Sequence, residues 1–190
     1  MGTPAVFLDK DGTLVNDVPY NVEPAAIALA PGSAEGARLL HEAGYPLIVV
    51  SNQSGVARGF FAETALRRVE QRLRELLDEA GASLAGFYYC PHYPDAPESA
   101  YAVRCGCRKP EPGLMLRAAE DRDLDLARSW AIGDILNDVE AGHRAGARTI
   151  LIDNGNETEW LLTPNRTPDY RVPDMAQAAR IIVAADRDGR

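Results

Sequence analysis

Long apolar runs are missing from this 190-residue sequence; the longest are of strand length, too short to span a bilayer. The first residues also lack the basic stretch and apolar core of a secretory signal, so a cytoplasmic protein without a membrane partner is expected. Basic charge is scarce: 20 Lys and Arg against 28 Asp and Glu give a net charge of −8. Binding to nucleic-acid backbone needs cations that displace counterions, so no nucleic-acid partner is expected. A small anionic substrate remains allowed, because a bound metal and a few local cations override the global sign. The three cysteines are an odd number in a chain without a signal, which argues against a disulfide framework. Internal repeats and low-complexity segments are absent.

What is present is a regular alternation. The length suits one domain over residues 1–190 with a full hydrophobic core. Residues 5–9, 46–52, 86–90, 129–134 and 148–153 are predicted as strands, with a short edge strand at 170–172. Residues 32–44, 62–80, 112–121, 139–145 and 175–185 carry helical spacing between and after them. The continuous apolar run "PLIVV" reads as a parallel strand covered on both faces. Strand and helix in turn predict an α/β fold, a doubly wound parallel sheet with helices on both faces. Ligands of such sheets bind beyond the carboxyl ends of the strands. The polar stretch 154–169 is read as surface.

Three strands end in polar clusters: Asp9-Lys10-Asp11, Ser51-Asn52 and Gly133-Asp134. The strand-end rule brings all three to one crevice. Carboxylates so close repel one another unless a divalent cation sits among them, and hard oxygen ligands select Mg²⁺, which also takes a substrate phosphate. Lys10 lies between the two aspartates, and alternation along the strand turns it away from the chemistry.

The irregular stretch from 91 to 112 is long for a loop, and such loops are functional or held by something. It is flanked and crossed by Cys90, His92, Cys105 and Cys107, all three cysteines and one of three histidines. Three cysteines and one histidine form a tetrahedral zinc set that would fold the segment 90–107. Four protein ligands leave no open position, so that Zn²⁺ is expected to be structural.

"DKDGT", "SNQSG", the lysine of "CRKP" and "GDILND" resemble the four motifs of the haloacid dehalogenase-like phosphatases, from residue 5 to about residue 153. The resemblance implies a Rossmann-like sheet and an aspartyl-phosphate mechanism. Asp9 would be the nucleophile, and Asp11 the proton donor and acceptor. Asp9, the Asp11 backbone carbonyl and Asp134 would hold Mg²⁺. Ser51 and Lys109 would stabilise the phosphoryl oxygens. Asp138 either orients Lys109 or a metal-bound water, or only complements the dipole of a helix start.

With the cysteine loop, "NQSGVARG" and "YYCPH" are similar to the D-glycero-D-manno-heptose 1,7-bisphosphate phosphatases, which lack a large cap domain, and to the related histidinol-phosphate phosphatases. The first resemblance implies removal of a C7 phosphate from a small phosphorylated sugar, on the way to bacterial cell-surface glycans such as lipopolysaccharide. Arg108, Asn52 and the loop 17–20, with Asp17 and Tyr20, would then contact substrate. Ile135 stands where some heptose enzymes carry lysine, Ser51 where threonine is common and Lys10 where arginine is common. Arg58 is either a second anion contact or a solvated arginine. Outside catalysis the alternatives are a phospho-acceptor signalling module and a zinc-stabilised binding protein. Receivers place the acceptor aspartate after strand three, which here ends in Cys90. A monomer is expected.

Overall fold

The structure, a computed structural model, describes residues 2–97 and 99–188, with side chains up to 186. Six strands form one sheet: β1 (Val6–Leu8), β2 (Leu47–Asn52), β3 (Leu84–Cys90), β4 (Trp130–Gly133), β5 (Arg148–Ile152) and β6 (Tyr170–Val172). The order across the sheet is β3-β2-β1-β4-β5-β6, and each neighbouring pair is parallel. The chain winds outward from β1 to β3, then returns to the far side of β1 as β4. The order therefore reverses between β1 and β4, and the crevice for ligands opens there.

Side-chain alternation splits the core into two layers. Val6 and Leu8 face one layer with Leu47 and Val49; Phe7 faces the other with Ile48, Val50 and Ala131. The first layer is closed by α1 (Ser33–Glu42), α2 (Leu66–Glu79) and α5 (Met175–Asp188), the second by α3 (Gly113–Arg122) and α4 (Leu136–Ala145). In α2 the residues Leu66, Val69, Leu73, Leu76 and Leu77 recur at helical spacing and all are buried. Each such side chain stabilises the fold by roughly 1.5–3 kcal/mol relative to exposure.

The predicted elements are all present, the edge strand at Tyr170–Val172 as expected and the others with shifted ends. The long helix expected from 62 begins as a 3₁₀ turn, Glu63–Ala65, and becomes α-helical at Leu66. The helix expected from 139 already starts at Leu136, so Asp138 lies in its first turn. The stretch 154–169 lies at the surface as expected; within it Asn154 and Asn156, both exposed, and the half-buried Glu157 hydrogen-bond to residues at the crevice. No helix among the described residues is long and apolar enough to cross a membrane.

Candidate active site

Asp9 follows β1 and remains in the ladder, its N–H donating to the Ile132 carbonyl at 2.9 Å. The chain then turns sharply: the amides of Leu14 and Val15 both donate to the Lys10 carbonyl, and that of Gly12 to the Val15 carbonyl. Gly12 has φ +80°, and a Cβ there would lie 2.1 Å from Asp134 Oδ2. Only glycine allows both the turn and the approach of Asp134 to the same place.

The carboxylates of Asp9, Asp134 and Asp138 each offer an oxygen, and these oxygens lie within 4.8 Å of one another. One cation faces them. Lys109, buried, contacts Asp9, sits 2.7 Å from Asp138 Oδ1 and donates to the Val50 carbonyl at 2.9 Å. Burial alone would depress its ammonium; Asp138 and Asp9 outweigh that and hold it above the ordinary lysine range. Burial pushes Asp138 up to about 6, and Lys109 opposes that shift. Its Oδ2 also accepts from the Ile135 amide at 3.3 Å, so both roles open in the sequence, orienting lysine and capping the helix, are combined.

Among the described residues Asp134 has no ammonium or guanidinium partner. Its Oδ1 accepts from Thr13 at 3.2 Å and its Oδ2 from Asn156 at 2.7 Å. Burial, then the charges of Asp9 and Asp138, push its carboxyl up to about 7. Three carboxylates facing one lysine leave an excess of negative charge, and the Gly12 backbone leaves the space that a Cβ would fill. A hard divalent cation fits that donor set. The sign of the linkage follows: a carboxyl raised from 3.8 to about 7 contributes stability that is present below the lower value and lost as pH rises to the higher. Added Mg²⁺ is therefore expected to raise the melting temperature more at about pH 8 than at about pH 5.5. Equal gains at both, by differential scanning fluorimetry, would remove Asp134 from the cation site.

Asp11 sits apart from this cluster. Its carboxylate is paired with Lys10, and Gln53 Nε2 donates to it at 3.4 Å. Lys10 departs from expectation: it is 2% exposed and reaches Asp11 rather than turning away. Burial raises the Asp11 carboxyl, Lys10 opposes this and Asp9 adds to it; the outcome is a raised value, suited to carrying a proton. Ser51, at the end of β2, accepts from Gln53 Nε2 at 2.8 Å, so Gln53 spans Ser51 and Asp11.

The sequence-predicted substrate residues are spread differently. Asn52 spends both polar ends on the Lys109 backbone, donating to its carbonyl at 3.1 Å and accepting from its amide at 3.0 Å. It clamps the lysine in place. Asp17 is exposed at the cleft, which Ile135 also lines. Tyr20 is exposed, with φ +56°, and lines an adjoining groove that shares Asp11, Asp17 and Asn52 with the cleft. Arg108 is half-buried and donates to the His92 carbonyl at 3.4 Å. Arg58 is no solvated arginine: its guanidinium stacks on Tyr93, 3.9 Å from the ring centroid.

Gln53 and Thr13 lie inside the motifs "SNQSG" and "DKDGT" but were given no role there, and Asn154, Asn156 and Glu157 lie outside every motif. Asn154 Nδ2 donates to the Gly12 carbonyl at 2.7 Å, and Glu157 Oε2 accepts from the Leu136 amide at 2.6 Å. The signal for the last three was the end of β5, which falls in the same row of strand ends as Asp9 and Asp134.

Beside the cleft, Cys90, His92, Cys105 and Cys107 converge. Cys107 Sγ lies 3.0 Å from Cys90 Sγ, 3.3 Å from Cys105 Sγ and 3.4 Å from His92 Nδ1. A tetrahedral zinc, with bonds of about 2.3 Å to sulfur and 2.0–2.1 Å to nitrogen, holds its ligand atoms roughly 3.5–3.8 Å apart. The donors converge to slightly less than that spacing, the Cys90–Cys107 pair at 3.0 Å being the tightest. Burial raises the Cys90 thiol, while hydrogen bonds from Cys107 overcome burial at Cys105 and lower it. The residues fit the metal.

Comparison with known proteins agrees with this geometry. A family profile described as HAD-hydrolase-like matches residues 106–178. A Photorhabdus laumondii protein named D-glycero-β-D-manno-heptose-1,7-bisphosphate 7-phosphatase is 41% identical over 155 residues, 81% of this chain and 82% of that one. The crystal structure of a HAD-like protein of Mesorhizobium loti matches with TM-score 0.84 at 35% identity, covering 97% of this chain and 86% of that one. A D,D-heptose 1,7-bisphosphate phosphatase of B. bronchiseptica, crystallised with magnesium and phosphate, matches with TM-score 0.78 at 28% identity, covering 96% and 99%. Identity of this order across four fifths of both chains means that the protein belongs to the haloacid dehalogenase-like phosphatases, in the family of the heptose 1,7-bisphosphate 7-phosphatases.

Proposed function

We propose that the protein removes the C7 phosphate of D-glycero-β-D-manno-heptose 1,7-bisphosphate through an aspartyl-phosphate on Asp9. The observation that carries this is the 41% identity to a relative named for that reaction, over 155 residues and four fifths of both chains. Residues 1–190 would act as one domain, monomeric and cytoplasmic, on a small phosphorylated sugar.

In the first step an Asp9 oxygen forms a bond to phosphorus as the bond from phosphorus to the sugar C7 oxygen breaks. Asp11 gives its proton to the departing alkoxide; burial raises its carboxyl, the direction a proton donor requires. In the second step water adds to phosphorus, Asp11 takes back the proton, and the bond to Asp9 breaks to release phosphate. Ser51 and Lys109 face the phosphoryl oxygens, and Asn52 and Asp138 keep Lys109 in position. Asp9, Asp134 and the Asp11 carbonyl would hold Mg²⁺, which supplies charge neutralisation at the phosphoryl group. Zn²⁺ on Cys90, His92, Cys105 and Cys107 would be structural.

The test is kcat/KM on both anomers of heptose 1,7-bisphosphate, histidinol phosphate and fructose 1,6-bisphosphate. The β-anomer is expected to lead the panel by about tenfold or more, a transition-state preference of about 1.4 kcal/mol. Histidinol phosphate in first place would overturn the substrate and leave the chemistry standing.

A further inference from the structure

Gln53 stands two residues after Ser51, a spacing that puts both side chains on one side of an extended chain. Its backbone is fixed: its N–H donates to the Cys90 carbonyl at 2.8 Å, and its carbonyl accepts from the Val56 amide at 3.2 Å. Its side chain is buried against the acidic crevice.

The side-chain amide has two hydrogens on one nitrogen, and two acceptors meet them. Ser51 Oγ lies 2.8 Å from Nε2, and Asp11 Oδ2 lies 3.4 Å from it. Asp11 settles which end of the amide faces inward. An ionised carboxylate only accepts, so the NH₂ end, not the carbonyl, must lie toward it. The consequence falls on Ser51. A hydroxyl has one hydrogen and can both give and take. Here it takes from Gln53, so its own proton is left for another acceptor. Among the described residues there is none, since Gln53 is the one hydrogen-bond partner of Ser51. Yet Ser51 lines the cleft beside Asp9 and Lys109, where the phosphoryl group would sit. A buried hydroxyl that accepts one bond also donates the next more strongly. A group at position 53 without an N–H would leave that hydroxyl free to turn.

We infer that Gln53 is a positioning residue: held between Ser51 and Asp11, its amide turns the Ser51 proton toward the phosphoryl oxygens. It acts through Ser51 and touches no reacting atom. This rests on the phosphatase reading above, in which Ser51 faces those oxygens, and it extends that reading by one residue.

The test is a double-mutant cycle. kcat and KM are measured for wild type, Gln53→Met, Ser51→Ala and the double variant, on heptose 1,7-bisphosphate and on p-nitrophenyl phosphate. Methionine has nearly the shape of glutamine and no N–H. Gln53→Met is expected to lower kcat about 10- to 30-fold with KM within about threefold, as for a transition-state contact moved and not deleted. Ser51→Ala should lose about 100-fold or more. In the Ser51→Ala background, Gln53→Met should cost no more than about threefold, because the residue it acts through is gone. Gln53→Ala should show the same coupling and carries the cycle if melting curves show the methionine variant to be poorly folded. The same factor in both backgrounds, or a loss confined to KM, would overturn the inference. Wild-type kcat in Ser51→Ala would overturn it together with the role given to Ser51. Coupling on p-nitrophenyl phosphate, in an enzyme that rejects the heptose bisphosphate, would overturn the proposed substrate and uphold the inference.

Discussion

Asp9→Asn is expected to lower kcat by at least about three orders of magnitude while the melting temperature stays within a few degrees of wild type. An amide oxygen is a poor nucleophile toward phosphorus, and no other described carboxylate can replace it. Asp134 is engaged by Thr13 and Asn156, and Asp138 by Lys109 and the Ile135 amide. Asp11 faces Lys10 and Gln53. Stability should survive because the substitution removes one of three crowded carboxylates and leaves Lys109 paired with Asp138 and with the Val50 carbonyl. The asparagine is nearly isosteric, so the packing of β1 is untouched. Rapid quenching of a single turnover adds a second readout: wild type should transfer phosphate to protein, and the variant should not. A variant with near-normal turnover would remove Asp9 from the nucleophile's role and, with it, the covalent route.

Much of this site was legible because strand ends in a parallel sheet are a row of fixed positions. Asp9, Ser51 and Asp134 each end an apolar run, so their convergence needed only the topology. Lys109 and the zinc set came from motif resemblance and spacing, since nothing in periodicity marks a loop. Lys10 was misplaced for a physical reason. Alternation applies to an extended chain, but the strand stops at Leu8 and the backbone is already turning at Lys10, whose carbonyl accepts from two amides. Asn52 lines the cleft as expected for a substrate contact, and its side chain also holds the Lys109 backbone, a contact between residues 57 positions apart that no local pattern encodes. Asn156 and Glu157 look like any polar loop. They acquire meaning only once β5 is known to lie next to β4.

Cys107→Ser is expected to reduce bound zinc well below one equivalent, to lower the melting temperature by about 10 °C, and to cut kcat at least tenfold. Cys107 is the informative choice because it touches the other three ligand atoms and is only half-buried, so serine removes the metal bond with little loss of packing. The stability effect is local in origin. The sheet has its own core, so it does not need the metal to fold, but the loop from 91 to 112 contributes few apolar side chains to either layer. Its order depends on the knot and on Glu63, which accepts from Tyr89 at 3.0 Å and from Tyr101 at 2.6 Å. Activity falls because Arg108 and Lys109 follow Cys107 directly. With the knot released, the Asn52 clamp, the ion pairs of its own ammonium and the Val50 carbonyl still hold Lys109 against Asp9 and Asp138. Loss of one anchor among several moves a transition-state contact without deleting it, so the effect should fall on kcat more than on KM and remain smaller than that of Asp9→Asn. Full zinc content in Cys107→Ser would disprove the ligand set. Full activity and an unchanged melting temperature after loss of the metal would show that the lysine is positioned without the knot.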